Sequence, residues 1–244
     1  MPTVLVTGAS SGIGLELCKQ LVARGDAVYA TCRRSNPELE AVGVAKIVPG
    51  VDVTEEACAE VLRAALEGVT VDVLVNNAGA MGSKPGQTWD EQTEAQTFDG
   101  LDLDTLKLAF DVNVVGPVRV AKAVVPHMRE GSKIAIITSL MGSIKDNGSG
   151  GLIAYRCSKS AVNQAGVTMA RDLKARGIAV GLIHPGMLRT NFGGGEPPQK
   201  MLKYFKPVQG GAEGVVHAID ALTMETTGTF VHGNYGEGIK PLPW

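Results

Sequence analysis

Seven short runs rich in β-branched and other apolar residues recur along the chain, with longer helix-like stretches between them. They are Thr3 to Thr7, Ala27 to Thr31, Val44 to Val48, Val71 to Val75, Lys133 to Ile137, Ile178 to Ile183 and Thr229 to His232. Several are apolar at nearly every position, which suits a strand covered on both faces and not one with a face in water. Parallel strands covered on both sides need crossover helices. The alternation therefore predicts an α/β fold: one doubly wound domain over 1–244, with a seven-stranded, mainly parallel sheet flanked by helices. Ligands of such sheets bind beyond the carboxyl ends of the strands, where the strand order switches.

The helical stretches carry their own signals. Gly12 to Ala23 puts Ile13, Leu17 and Leu21 on one face and stops before Gly25. Thr54 to Leu66 begins at a residue fit for an N-cap and turns Cys58, Val61, Leu62 and Ala65 to one side. Leu103 to Met128 is too long for one ordinary helix, and Pro117 and Pro126 predict a bend or an adjusted turn within it. Leu152 to Ala175, closed by Gly177, and Gly211 to Leu222 read as further helices. Met81 to Gly100 is polar and reads as a loop.

Charge and cysteine usage narrow the classes of function. The 23 basic and 25 acidic residues nearly cancel, leaving a formal charge of -2, and no basic run is present to track a phosphate backbone, so no nucleic-acid partner is expected. No apolar run approaches the length of about 18 residues that spans a bilayer, and Val4 to Val6 leads straight into a turn rather than a leader segment. A cytoplasmic protein without membrane association is expected. Cys18, Cys32, Cys58 and Cys157 are too scattered for a metal frame and read as free thiols, and no metal site is expected.

After the first strand the chain reads Thr7-Gly8-Ala9-Ser10-Ser11-Gly12-Ile13-Gly14 and enters a helix. Gly8 serves a sharp turn, Gly12 admits a closely approaching ligand, and Gly14 lets helix and strand pack together. The helix start offers free N–H groups and a positive dipole end, which suit the pyrophosphate of a dinucleotide. At the end of the second strand, where a carboxylate would hold an unphosphorylated ribose, stand Arg33 and Arg34. Two guanidinium groups suit a 2'-phosphate, so the cofactor expected is NADP(H). Asp52 and Val53 follow the third strand. Asp52 either hydrogen-bonds the adenine amine, with Val53 near the ring, or caps the adjoining helix. Asn76-Asn77-Ala78-Gly79 ends the fourth strand with small residues that permit close cofactor approach.

Tyr155 and Lys159, four residues apart in a predicted helix, share one face. An ammonium beside a phenol favours the phenolate, lowering the phenol's pKa and making Tyr155 a proton donor to a carbonyl oxygen, or a base in reverse. Ser139, at the end of the fifth strand, is placed to steady charge on the substrate oxygen. Ser143 competes for that role, because Ser139 and Tyr155 are 16 residues apart with a glycine-containing segment between them. Asn113 lies in an apolar helical stretch, where a buried amide bonds a local backbone carbonyl or a water leading toward Lys159. Pro185-Gly186-Met187 and Thr190 shape the nicotinamide end of the pocket. His184 beside them has no paired carboxylate or nucleophile and reads as a packing or loop-hydrogen-bonding residue.

With these motifs the chain resembles the short-chain dehydrogenase/reductase family over almost its whole length. Gly142-Ser143-Ile144, Ser149-Gly150-Gly151 and Leu242-Pro243-Trp244 look like its carbonyl-reductase branch, related to the sniffer and C-factor proteins. The resemblance implies a Rossmann-type fold and a catalytic set of Asn113, Ser139, Tyr155 and Lys159. It implies cofactor contacts from the glycine turn (Gly8, Ser10, Ser11, Gly12, Ile13, Gly14), from Asn76, Ala78 and Gly79, and from Thr190 at the carboxamide. It also implies a homodimer or homotetramer. The expected activity is NADPH-dependent reduction of a ketone or aldehyde to an alcohol, reversibly, with a loop over about 187–207 covering the substrate. The alternative is a nucleotide-binding regulatory or signalling protein that retains the fold.

Overall fold

The computed structural model describes residues 1–82, 86–193, 199–233 and 238–244, the side chain of Lys200 excepted. In chain order its elements are β1 (Thr3–Val6), α1 (Gly12–Arg24), β2 (Ala27–Thr31), α2 (Pro37–Glu40), β3 (Lys46–Val48), α3 (Cys58–Ala65), β4 (Val73–Asn76) and α4 (Trp89–Glu94). Then come α5 (Leu103–Phe110), α6 (Gly116–Val124), β5 (Lys133–Ile137), α7 (Ile153–Asp172), β6 (Ala179–His184), α8 (Val208–Ala221), β7 (Phe230–His232) and β8 (Lys240–Pro241).

One sheet holds all the strands in the order β3-β2-β1-β4-β5-β6-β7-β8. Strand β1 pairs in parallel with β2 on one side and β4 on the other, so the order switches there and the crevice opens beyond the carboxyl ends of β1 and β4. Among the described residues the sheet has eight strands, not the seven expected. The eighth, two residues long, runs antiparallel to β7, with Val231 opposite Pro241 and His232 opposite Lys240. So short a segment, containing a proline tolerated only at an edge, has no periodicity to read.

Alternation along the strands builds a core on each face. Val4 and Val6 of β1 join Leu17 and Leu21 of α1 and Val215 and Ile219 of α8 in one cluster. Leu5, between them, points the other way and joins Leu62 of α3, Val120 and Val124 of α6 and Val162 of α7. Each such buried aliphatic side chain contributes about 1.5–3 kcal/mol.

Two local departures from expectation have physical causes, and one expected break takes a definite form. Helix α3 starts at Cys58 rather than Thr54, because the Asp52 carboxylate accepts from both the Thr54 N–H (3.0 Å) and hydroxyl (2.7 Å) and holds that stretch in turns. The polar stretch 81–100, expected as loop, contains α4. Its start is a reciprocal capping box between Thr88 and Glu91, a signature visible in the sequence as Thr-x-x-Glu. The long stretch 103–128 divides as its prolines suggest: α5, a wide π-turn over Asp111–Val115, α6 with Pro117 in its first turn, and a tight turn over Val125–His127. In the π-turn the Gly116 N–H donates to the Asp111 carbonyl, five residues back. Among the described residues no helix is long and apolar enough to cross a membrane. Cys18, Cys32 and Cys58 are buried and Cys157 is exposed, all as free thiols.

Candidate active site

The exits of β1 and β4 are laced together. Thr7 Oγ1 accepts from the N–H groups of Asn77 and Ala78, both at 3.0 Å, while Asn77 Nδ2 donates to the carbonyls of Thr7 (2.8 Å) and Gly8 (3.3 Å). Asn76, by contrast, turns into the core and donates to the Pro117 carbonyl at 3.4 Å. Thr7 and Asn77 are site-building residues that motif reading passed over; the paired asparagines were the available signal. Gly8 has φ +66°, and a Cβ there would stand 2.9 Å from Ala78 Cα, so both conformation and space demand glycine. Helix α1 follows with no side-chain cap at Ser11 and no acidic residue in its first turn. Its first N–H groups and dipole are thus left to an anion, between Ser10, Gly12 and Ile13. Across the crevice stands Thr190: a Cβ on Gly12 would lie 3.6 Å from its side chain.

Beyond β2, Arg33 and Arg34 are exposed, and the Ser35 hydroxyl beside them is buried without a protein partner. Asn36 caps α2 through the Leu39 N–H (2.9 Å) and donates to the Ser10 carbonyl (2.8 Å), tying this corner to the glycine turn. Burial pushes the Asp52 carboxyl up, but the two hydrogen bonds from Thr54 and the charge of Arg33 outweigh it and hold the group below the usual carboxylate range. Asp52 thus caps its own turn. Val53 is buried, and its carbonyl accepts from the Arg119 guanidinium.

The chemistry-bearing side chains meet at the ends of β4 and β5. Tyr155 and Lys159 occupy one face of α7, at 9% and 5% exposure. Lys159 Nζ lies 5.6 Å from the Tyr155 ring centre and donates to the Ile137 carbonyl at 3.0 Å. The Ser139 hydroxyl hydrogen-bonds the phenol and accepts from the Met141 N–H at 3.2 Å. Ser143 is buried away from them and caps a turn at the Asp146 N–H (3.1 Å). Burial pushes the phenol up to about 12, only partly offset by Ser139, and pushes the Lys159 ammonium down to about 8. The expected lowering of the phenol's pKa by Lys159 is therefore not found: desolvation raises it, and the opposing influence comes from Ser139.

Asn113 stands in the π-turn. Its Oδ1 accepts from the Ala80 N–H (2.9 Å), and its Nδ2 donates to the Ala80 carbonyl (2.7 Å) and to Ser158 Oγ (3.0 Å). The Ser158 hydroxyl in turn donates to the Tyr155 carbonyl at 2.8 Å. The amide thus fastens the β4 exit to α7. Gly79 sits at the junction, where a Cβ would stand 3.3 Å from Asn113 Oδ1 and 3.8 Å from Lys159 Nζ.

On the substrate side, Pro185 and Gly186 (φ +93°) lead from β6 to exposed Met187. A parallel bridge between Leu188 and Lys206 closes the base of the segment after β6. Within it, Phe192 meets the Tyr155 ring edge-on at 5.9 Å, and Phe205 meets Trp89 at 6.1 Å. Met201, Leu202 and Tyr204 lie in a short 3-10 helix over Gln199–Tyr204. Gly194, Gly195, Pro197 and Pro198, which fall within the expected covering loop, lie outside the described residues.

His184 packs edge-on against His232, ring centres 4.8 Å apart. Burial first, then His232 and Lys159, push its pKa down to about 3. Its unfolded counterpart takes up a proton near about 6.5, so between these values the unfolded chain binds more protons and stability drains as pH falls. Denaturant titrations at about pH 7 and about pH 4.5 are expected to show a smaller acid loss for His184→Asn than for the wild type.

Residues 2–200 match the profile of the short chain dehydrogenases. The 1-hydroxy-2-glutathionyl-2-methyl-3-butene dehydrogenase of Rhodococcus sp. (strain AD45) is 39% identical over 236 residues, covering 96% of this chain and 97% of that protein. C-signal of Myxococcus xanthus is 36% identical over 162 residues, 66% of this chain and 87% of that protein. Among solved structures, the NADPH-bound carbonyl reductase from chicken fatty liver has a TM-score of 0.81 at 26% identity, covering 100% of this chain and 99% of that one. Carbonyl reductase Sniffer of D. melanogaster has a TM-score of 0.79 at 29% identity, covering 100% of both chains. Matched by that profile along most of its length and by the Rhodococcus enzyme nearly end to end, the chain belongs to the short chain dehydrogenase family of oxidoreductases.

Proposed function

We propose that this protein is an NADP(H)-dependent carbonyl reductase that converts a ketone or aldehyde to the alcohol and runs the reverse reaction. The observation that carries this reading is the buried phenol of Tyr155, bonded to Ser139 and one helical turn from Lys159, at the crevice of the glycine turn. A phenol pushed up to about 12 stays protonated at neutral pH, which is the form reduction requires.

The residues fit the cofactor. Uncapped α1 suits the pyrophosphate, and Arg33, Arg34 and the unpartnered Ser35 hydroxyl suit a 2'-phosphate. Ala78, Gly79, Pro185, Gly186, Met187 and Thr190 line its course toward the reacting end, while Asn76, turned into the core, supports the strand exit from behind. Related structures that hold NADP or NADPH support the same assignment. When bound, the reduced nicotinamide supplies the hydride. Tyr155 donates the proton to the substrate oxygen, Ser139 steadies the charge developing there, and Lys159 gives positive charge beneath the phenol and a donor for ribose hydroxyls. Asn113 holds the β4 exit and α7 in register. The described parts of the segment after β6, residues 187–193 and 199–207, cover the substrate. Leu103 and Leu108, exposed on α5, support self-association as a dimer or tetramer.

The test is NADPH consumption with small aliphatic ketones, aromatic aldehydes, quinones and cyclic diketones. A glutathione-bearing alcohol, the class named for the Rhodococcus relative, is tested in the oxidative direction. Turnover of at least one compound is expected, and cofactor binding without turnover on any would favour the regulatory alternative. Arg33→Ala and Arg34→Ala are each expected to raise the KM for NADPH about 10-fold, the loss of about 1.4 kcal/mol of ion pairing, and to leave NADH use unchanged. Equal use of both cofactors by the wild type would overturn the assignment to NADP(H).

A further inference from the structure

We propose that Gln96 is a positioning residue: it caps the first turn of α7 from outside that helix and so fixes where Tyr155 stands. Helix α7 has no cap of its own. Its N-cap residue is Leu152, held left-handed at φ 49° and ψ 42°, with no side-chain bond to the helix. Gly150 and Gly151 before it are also left-handed, at φ +64° and +68°. The chain thus enters the helix through three unusual conformations in succession, and the first-turn N–H groups must find partners elsewhere.

Gln96 supplies two of them. Its backbone carbonyl accepts the Ile153 N–H at 3.0 Å, and its side-chain Oε1 accepts the Tyr155 N–H at 3.0 Å. The second bond is made to the backbone of the residue that carries the phenol. Gln96 is 0% exposed, so water offers neither N–H a substitute. Its amide has only one workable orientation. Nε2 donates to the Met81 carbonyl at 2.9 Å, and reversing the amide would set donor against donor at Tyr155 and acceptor against acceptor at Met81.

The anchor points place this residue in the site. Met81 lies two residues beyond Gly79, so Gln96 ties the β4 exit directly to the start of α7. One helical turn earlier, buried Gln92 donates to the carbonyls of Gln87 (3.0 Å) and of Gly193, next to Phe192. Helix α4 and the turn that follows it therefore hold the helix bearing the phenol and the segment that packs on its ring.

The kinetic consequence rests on the reductase reading above, whereas the cap does not, and the experiment separates them. Gln96→Met fills nearly the same space without the side-chain bonds; Gln96→Asn keeps an amide that falls one methylene short and serves if the methionine variant does not fold. Hydrogen exchange of a peptide spanning 152–157 is expected to quicken at least about 10-fold, with 133–137 unchanged. On a carbonyl that the wild type reduces, kcat is expected to fall about 10- to 100-fold while the KM for NADPH stays within about 2-fold. Wild-type exchange would overturn the cap. Wild-type kcat, or equal losses in kcat and cofactor affinity, would overturn the positioning role. If the wild type reduces no carbonyl, the reductase reading fails and exchange alone still decides the cap.

Discussion

Tyr155→Phe is expected to lower kcat/KM for carbonyl reduction by about 10³-fold, within the range of about 10²- to 10⁴-fold attributed to a placed proton donor. The substitution removes one oxygen and leaves the ring, so packing against Phe192 and beneath Lys159 persists and the fold is retained. NADPH affinity, read by fluorescence titration, is expected to change little, because the hydroxyl's partner in the protein is Ser139 rather than the glycine turn. In the wild type the alkaline limb of reduction is expected near pH 8, where Lys159 loses its charge, well before the phenol near 12. Turnover unaffected by the loss of the hydroxyl would remove Tyr155 from the role.

The second large effect is expected from Gly14→Ala. Gly14 is helical in conformation, so the obstacle is space. A Cβ there would press into the Gly8 carbonyl oxygen and stand 2.5 Å from Asn77 Nδ2. Both are fixed, because Asn77 Nδ2 already donates to the Thr7 and Gly8 carbonyls. Relief requires α1 to back away from β1, breaking that lacing. Overpacking of this kind costs about 1–3 kcal/mol, a fall in Tm of several degrees in a chain this size. Hydrogen bonds to a charged phosphate contribute about 1.5–3 kcal/mol each, so a displaced turn that loses two is expected to bind NADPH at least about 100-fold more weakly. Thermal melts with and without NADPH measure both. A variant stabilised by NADPH as strongly as the wild type would show that the turn tolerates the methyl group.

The sheet was legible because its strands are apolar on both sides. All seven expected runs became strands within about two residues of their bounds, and that pattern repeats along the chain. The glycine turn and the Tyr155–Lys159 spacing were legible for a similar reason, since each is local in sequence. What escaped depends on contacts between distant segments. Asn76 and Asn77 look alike in sequence, and only the approach of β1 shows that Asn77 faces the turn. Gln96 looked like an ordinary polar residue of a loop until α7 arrived without a cap of its own. The Tyr155 phenol lies above its ordinary pKa, although an ammonium is near, because both groups are buried from water, Phe192 of the segment after β6 packing on the ring. Spacing along one helix carries no information about that enclosure.

The five-residue turn at Asp111–Val115 makes the length of its helix consequential. An α-helix advances about 100° per residue, so deleting one residue to restore a regular spiral would rotate everything upstream by roughly that angle relative to α6. Asn113 would swing off Ala80, or α5 would turn a different side toward α7. The surplus residue acts as a phase shifter, letting one continuous rod present separate faces to the β4 exit and to the sheet. Insertions and deletions should therefore be tolerated poorly here and far better in exposed connections such as 144–149.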